Sequence, residues 1–103
     1  KKQFSLIMIP TPNKLINMFY VYVLKSLKNS NLYTGYTNDL RRRLSEHRNG
    51  LSEYTSKYLP YKLVYYEAYV SEKDARQRES NLKLRANALN QLKRRLVESL
   101  KAY

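Results

Sequence analysis

Three short runs along the chain combine β-branched and aromatic side chains, and each predicts a strand. The first run covers residues 19–24 and the second covers residues 32–36, with the turn-prone segment 28–31 between them. These two runs therefore predict a β-hairpin. In that hairpin Tyr22 and Tyr33 lie on adjacent strands.

The segment after the hairpin carries helical signals. Asn38 or Thr37 can cap a helix, and the Asn-Gly pair at residues 49–50 marks its end. A polar stretch, residues 51–57, then leads to the third run at residues 62–70, which predicts the third strand.

The basic residues of this first predicted helix fall on different sides of it. At about 100° per residue, Arg43 and His47 fall on the same side as the apolar positions, while Arg41 and Arg42 turn away. The apolar positions are Leu40 and Leu44. We therefore expect Arg43, and neither of its arginine neighbours, to face the body of the protein.

A second helix is predicted to follow Ser71, where a capping-box pattern begins, and to run to about Leu84. One face of this helix should lie inward. That face consists of Ala75, Glu79, Leu82 and Ala86. An unpaired carboxylate among apolar side chains is costly, so Glu79 needs either a partner or a function.

Both ends of the chain have their own patterns. Residues 89–100 repeat leucines at helical spacing, which predicts one helix that packs by its leucines and turns basic side chains outward. Residues 1–17 contain Pro10 and Pro12, so we predict a leader outside the core fold, with Met18 as a candidate start. Residues 18–103 are then expected to form one domain.

The net charge of the chain indicates which kind of molecule it binds. The 103 residues include 20 Lys and Arg against 8 Asp and Glu, a formal net charge of +12. A surface this basic favours polyanions, and nucleic acid is the first candidate. The basic residues are spread over the whole chain and not collected on one amphipathic helix, which argues against a membrane surface. The apolar run 4–9 is too short for a signal-peptide core or a membrane span, so a cytoplasmic location is expected.

The candidate chemistry lies in two tyrosines, one arginine and one histidine. The chain has no Cys, which excludes thiolate metal sites. Two phenols, a guanidinium and an imidazole, by contrast, can together deprotonate water and bind a phosphate. These side chains belong to Tyr22, Tyr33, Arg43 and His47. Gly35 completes the second motif, Tyr33-Thr34-Gly35.

Each of these residues also has an ordinary structural interpretation. With 11 tyrosines in the chain, two of them in a hairpin are by composition alone most often packing residues. His47 alone would be a hydrogen-bonded interior histidine. Glu79 would be an ion-pair residue, with Arg43 as a candidate partner. The third-strand tyrosines Tyr65, Tyr66 and Tyr69 could stack on bases, although core packing is the better interpretation for one face of the strand.

The order and spacing of these motifs resemble the GIY-YIG nuclease superfamily, and above all its small stand-alone members. Tyr20-Val21-Tyr22 occupies the place of the first motif, although the first Gly of the name is Tyr20 here. Tyr33-Thr34-Gly35 occupies that of the second, with Thr34 in place of Ile. Arg43 and His47 match the Arg-x-x-x-His of the first helix, and Glu79 matches the metal-binding Glu of a later helix. The chain is also similar to the nuclease domain of the bacterial excision-repair incision protein.

The resemblance implies an α+β fold, with a small three-stranded antiparallel sheet flanked by helices. It also implies hydrolysis of phosphodiester bonds in DNA, assisted by Mg²⁺ or Mn²⁺ bound at Glu79, in repair or recombination. Arg43 would contact the phosphate. One of Tyr22 and Tyr33 would accept the proton of the attacking water, Tyr22 being our preferred base with His47 as its partner. The family's Asn after the Glu helix would be Asn87, Asn90 or neither.

Further contacts with nucleic acid are expected outside the catalytic set. The candidates are Tyr36, Arg41, Arg42 and Lys57. Relatives gain targeting from an added domain or a partner, so a targeting protein is a candidate partner here. The alternative to the enzyme is a module that keeps the fold and the basic surface, binds DNA or RNA, and hydrolyses little or nothing.

Overall fold

A computed structural model describes residues 17–103. Its centre is a three-stranded antiparallel sheet in the order β2-β1-β3. The strands are β1 (Phe19–Ser26), β2 (Leu32–Thr37) and β3 (Tyr61–Tyr69). The predicted hairpin and third strand are therefore confirmed. The predicted leader, except for Asn17, lies outside the described residues.

Within residues 17–103, four helices and one short 3₁₀ turn surround this sheet. They are α1 (Leu40–Arg48), a 3₁₀ turn (Ser56–Tyr58), α2 (Glu72–Leu84), α3 (Ala86–Arg95) and α4 (Val97–Lys101). The α+β class predicted from the sequence is confirmed.

The two faces of the sheet differ because side chains alternate along a strand. Val21 and Val23 point to one face, where the apolar core forms against α2 and α3. The helix side chains of this core include Ala75, Leu82 and Leu92. Tyr22 points to the opposite face and meets α1 there. The sheet therefore separates an apolar core from a polar face.

Both ends of α1 are set by local hydrogen bonds. The cap is Asp39, whose carboxylate accepts from the Arg42 backbone N–H, so the prediction of Asn38 or Thr37 as cap was wrong. Thr37 still belongs to β2, and its hydroxyl accepts from the Asp39 N–H. Gly50 has φ +73°, a conformation that favours glycine, and its N–H closes on the His47 carbonyl at 3.0 Å. The helix consequently ends just after His47.

Two predictions about the C-terminal helices need correction. Ala86 is exposed and begins α3, so it does not continue the inward face of α2. Residues 89–100 do not form one helix, because the chain leaves helical geometry at Leu96, between α3 and α4. Leu92 and Leu96 are nevertheless both buried, so the leucines do pack inward as predicted. The basic residues beside them are exposed.

Candidate active site

The centre of the site is a hydrogen bond between Tyr22 of β1 and His47 of α1. The Tyr22 hydroxyl lies 2.8 Å from His47 Nε2, and the two rings meet edge to face at 5.7 Å. Both residues are almost completely buried, with 1% and 2% of their surfaces exposed. The helical phase predicted for His47 is therefore correct, and it brings the imidazole onto the polar face of the sheet.

Gly35 makes room for this pair. It lies opposite Tyr22 in the β1–β2 register. A Cβ atom at Gly35 would collide with the Tyr22 ring, lying 2.9 Å from Cε2 and closer still to the hydroxyl end. The glycine of the Tyr33-Thr34-Gly35 motif is therefore explained by the close approach of the phenol.

Thr55 forms a hydrogen bond with the second ring nitrogen of His47. Its hydroxyl lies 2.7 Å from His47 Nδ1, and no part of the residue is exposed. The segment that carries it is anchored to the hairpin, because the Ser26 hydroxyl donates to the Tyr58 carbonyl at 2.7 Å. Sequence reasoning missed Thr55, which it placed in a polar connecting stretch. The available signal was the general requirement that a buried histidine have a hydrogen-bond partner at each ring nitrogen.

Tyr33 borders the pair on the side of β2. Its ring centroid lies 6.3 Å from that of Tyr22 and 5.3 Å from that of His47. Outward, Tyr33 meets the ring of Tyr54 at 5.7 Å, and Tyr54 is 79% exposed. An aromatic path therefore runs from the buried phenol to the surface.

Burial and charge set the protonation states of the pair. Burial raises the pKa of Tyr22 to about 12, and the nearby guanidinium of Arg43 acts in the opposite direction. Burial, followed by the positive charge of Arg43, lowers the pKa of His47 to about 4. The imidazole is therefore neutral at pH 7, with one ring nitrogen as donor and the other as acceptor.

Arg43 leaves α1 on the same side as His47, as its helical phase predicts. Its Nη1 donates to the Glu46 carboxylate at 2.8 Å, which raises the pKa of the guanidinium further. With 29% of its side chain exposed, Arg43 lies between the buried phenol and solvent. Its only carboxylate partner within residues 17–103 is one turn away on an exposed helix, so exchange of this partner for a phosphate is sterically simple.

Glu79 approaches the site from α2. The side chain is 19% exposed and pairs with Lys83 one turn on, at 2.9 Å, so the candidate pairing with Arg43 was wrong. Lys83 in turn lies 5.9 Å from the Tyr33 ring centroid. The negative charge of Glu79 also contributes, as the smallest of several effects, to the raised pKa of Tyr22.

The comparison with known families decides the identity of this site. The sequence model of the family described as the GIY-YIG catalytic domain matches residues 18–94, a range that contains every site residue described above. The chain belongs to the GIY-YIG family. Its domain is thus of a nuclease type that acts on nucleic acids.

The chain is also similar to several individual proteins. A UPF0213 protein of Clostridium perfringens is 45% identical over 67 residues, which cover 64% of this chain and 71% of the relative. A UPF0213 protein of Streptococcus agalactiae serotype V is also 45% identical, over 65 residues, covering 62% and 73%. The solution structure of a UPF0213 protein from Bacillus halodurans is 36% identical, covers 73% of this chain and 81% of that one, and has a TM-score of 0.47.

The residues predicted to contact nucleic acid lie in different places on this GIY-YIG domain. Arg42 and Tyr36 line a polar groove of about 400 Å³ that also includes Arg43. In that groove the Arg76 guanidinium lies 4.1 Å from the centre of the Tyr36 ring. Arg41 is exposed and does not line the groove.

Lys57 lies apart from this groove, in the 3₁₀ turn near the end of the hairpin. Its side chain is exposed, and its backbone carbonyl accepts from Lys28 Nζ at 3.3 Å. The structure therefore brings Tyr36 and Arg42 beside Arg43 but leaves Lys57 outside the groove. None of the helices between residues 17 and 103 combines the length and apolar character that a membrane span requires.

Proposed function

We propose that this GIY-YIG domain is a divalent-metal-dependent endonuclease that hydrolyses phosphodiester bonds in DNA. Branched or damaged DNA in repair or recombination is the proposed substrate class. The observation that carries the proposal is the environment of one atom, the Tyr22 hydroxyl oxygen. It bonds His47, and the fields of Arg43 and Glu79 both act on its ionisation.

These groups divide the work of hydrolysis between them. Tyr22 accepts the proton of the attacking water, and His47 holds its hydroxyl oxygen in place. Arg43 exchanges Glu46 for the non-bridging oxygens of the phosphate, to which its planar donor fork is suited. Tyr33, at the open side of the pair, contacts the substrate or the attacking water.

Glu79 is the proposed metal ligand, and it would exchange its present partner, Lys83 at 2.9 Å, for the cation. Residues 17–103 contain no cluster of three or more His, Cys, Asp or Glu side chains that could bind a metal alone. Mg²⁺ and Mn²⁺ are compatible with such a site, because Mg²⁺ keeps several waters and needs only one or two carboxylates with a substrate phosphate. When bound, the ion would neutralise charge on the phosphate and on the leaving oxygen.

A substrate panel tests the proposal. Labelled single-stranded, duplex, flapped and branched DNA are incubated with Mg²⁺, with Mn²⁺ and with a chelator. We expect cleavage with either metal, none with chelator, and the fastest cleavage on a branched or flapped substrate. Equal rates on all four DNA structures would remove the repair or recombination part of the proposal.

One pair of variants separates the metal ligand from general effects of charge. Glu79→Gln should lose about 10²-fold or more in turnover and retain binding. Glu98→Gln removes a carboxylate that is 89% exposed in α4 and should have no effect. If wild type and Glu79→Gln bind DNA equally and neither cleaves any substrate, the chain is a binding module. A parallel RNA panel shows which nucleic acid is preferred.

A further inference from the structure

Two buried hydrogen bonds join Thr55, His47 and Tyr22 in a chain. The number of polar hydrogens available to these bonds restricts the directions in which they can run. The Thr55 hydroxyl meets Nδ1 and the Tyr22 hydroxyl meets Nε2. A neutral imidazole has one N–H, and each hydroxyl has one O–H. Three polar hydrogens therefore share two hydrogen bonds, so one of them has no place in the chain.

The two tautomers of His47 leave different hydrogens unused. If Nδ1 carries the hydrogen, it donates to Thr55 and the Thr55 hydroxyl proton is surplus. If Nε2 carries it, the Thr55 hydroxyl donates to Nδ1, and the surplus proton belongs to Tyr22. Neither hydroxyl has another acceptor among the described residues.

Of the two hydroxyl protons that can be surplus, only that of Tyr22 can be lost to solvent. An aliphatic hydroxyl keeps its proton at any pH relevant to a protein, whereas a phenol can lose one. The Thr55 residue is also completely enclosed, with 0% of its surface exposed. All three groups are therefore fully hydrogen-bonded in one state alone, in which Thr55 donates to Nδ1 and Nε2–H donates to the ionised oxygen of Tyr22.

We propose that Thr55 is a positioning residue that fixes His47 as a hydrogen-bond donor to Tyr22, so that the imidazole stabilises the phenolate and does not itself collect the proton. This inference deepens the proposed function and rests on it. It assigns the order of events as well. Tyr22, which is neutral at pH 7 in the free protein because burial raises its pKa to about 12, gives its own proton to solvent on entering the active state and then takes one from the attacking water.

Two observations are in line with this arrangement. Arg43, which also acts on the phenol oxygen, can only donate, and it favours the ionised form. The backbone that carries Thr55 is also fixed, which holds the Thr55 hydroxyl oxygen against Nδ1. The Thr55 N–H bonds the Ser52 carbonyl at 3.2 Å, and the following 3₁₀ turn is attached to Ser26.

The test uses the fact that His47 is the single histidine of the chain. With ¹⁵N-labelled imidazole, the nitrogen chemical shifts at about pH 7.5, where the ring is neutral, report its tautomer directly. We expect Nε2–H in the wild type and in Thr55→Ser. We expect a shift toward Nδ1–H in Thr55→Val, because without a donor at Nδ1 the Tyr22 hydroxyl becomes the donor to Nε2.

Activity provides the second measurement. On a DNA substrate that the wild type cleaves, Thr55→Val should lower kcat at least tenfold with KM unchanged, and Thr55→Ser should restore it. The inference fails if the wild type carries Nδ1–H, if a folded Thr55→Val keeps the wild-type tautomer and kcat, or if Thr55→Ser behaves as Thr55→Val does. If Thr55→Val does not fold, the wild type and Thr55→Ser still decide by their tautomers and rates.

The tautomer does not depend on cleavage. An inactive wild type with the Nε2–H tautomer and the expected shift in Thr55→Val would refute the nuclease while leaving the hydrogen-bond direction intact. An active wild type with the Nδ1–H tautomer would support the nuclease and refute the proposed hydrogen-bond direction. The two proposals therefore fail separately.

Discussion

Tyr22 and Tyr69 lie on opposite faces of the same sheet, and each belongs to a polar cluster, fully buried around Tyr22 and partly buried around Tyr69. On the core face, Glu67 accepts from Tyr69 and from Tyr65, the latter at 2.5 Å. Arg78 of α2 completes this cluster, with its Nε 3.0 and 3.1 Å from the two carboxylate oxygens. Both phenols and the Arg78 guanidinium thus share one carboxylate, and we call this cluster closed.

The pKa values of these tyrosines do not distinguish the two clusters. Burial raises the pKa of Tyr22, Tyr65 and Tyr69 to about 12 in each case. For Tyr65 and Tyr69 the Glu67 carboxylate adds to that effect, because accepting their protons stabilises the neutral phenols. For Tyr22 the next largest effect, that of Arg43, acts in the opposite direction. The partners of a buried tyrosine, and not its burial, decide whether it can act as a base.

The largest expected effect comes from deleting one hydroxyl on each face. Tyr22→Phe should lower kcat about 10³-fold, because it removes the proposed base, and should also cost about 1 kcal/mol of stability, because His47 Nε2 loses its partner. Tyr69→Phe should leave kcat unchanged and lower the free energy of unfolding by about 1.5 kcal/mol, through the lost bond to Glu67. Turnover on a cleavable DNA and urea unfolding measure the two quantities. If Tyr69→Phe lost as much turnover as Tyr22→Phe, the distinction between the faces would be wrong.

Stability should depend on the closed cluster. Arg78→Ala leaves the Glu67 carboxylate, 14% exposed, without its cation, and we expect a loss of about 3 kcal/mol in the free energy of unfolding. The control is Arg76→Ala in the same helix, whose pair with Glu72 is exposed at 59% and 50%. That change should cost less than about 1 kcal/mol. Equal losses in the two variants would show that the core-face cluster contributes nothing special.

The two clusters should also lose stability in different pH ranges. Unfolding returns His47 to its ordinary pKa of 6.5 from about 4, so only the unfolded chain takes up a proton in between, and stability falls as the pH drops through that range. The full loss is roughly 3 kcal/mol. The pKa of Glu67 is lowered, so its contribution is present above 4.5 and disappears at lower pH. In His47→Gln the loss between pH 6.5 and 5 should vanish, and a persistent loss there would contradict the assignment.

The arginines of the two faces differ in the same way as the tyrosines. Arg43 holds a neighbouring glutamate on a half-exposed helix and is available to a phosphate, whereas Arg78 is committed to Glu67. Arg43→Ala should therefore lower kcat about 10²-fold and change DNA affinity little, since many other basic side chains share the phosphate contacts. Arg48→Ala removes an exposed charge from the same helix and serves as control. Weaker binding with normal kcat would move Arg43 out of the active site.

Much of the fold could be predicted because it depends on periodic patterns. The strands follow from β-branched and aromatic runs, and the inward positions of Arg43 and His47 follow from helical phase. The cap of α1 could not be predicted in the same way. Thr37, Asn38 and Asp39 can all cap a helix, and the choice depends on β2 extending to Thr37. The break between α3 and α4 at Leu96 could not be predicted either, because the helical spacing of the leucines continues through it.

The candidate site was predictable as a set of side chains but not as a network. Helical phase placed His47, yet no local pattern indicates that Thr55, eight residues later in an irregular segment, would meet its second nitrogen. The partner of Glu79 was a different case. Lys83 lies four residues after Glu79, so the helical i,i+4 pair follows directly from the sequence.

The smallest expected effect concerns the exposed tyrosine at the outer end of the Tyr22 face of the sheet. Tyr54 is 79% exposed and its ring meets Tyr33, so a base leaving the site can stack on it. Tyr54→Leu should weaken binding of a single-stranded oligonucleotide by about 1 kcal/mol, with kcat unchanged and a smaller effect on duplex DNA, whose bases are already stacked. The control is Tyr58→Leu, a change at a partly exposed tyrosine in the same segment. Equal losses from the two variants, or equal losses on single strands and duplex, would mean that Tyr54 contributes only to the general surface and that the aromatic path ends at Tyr33.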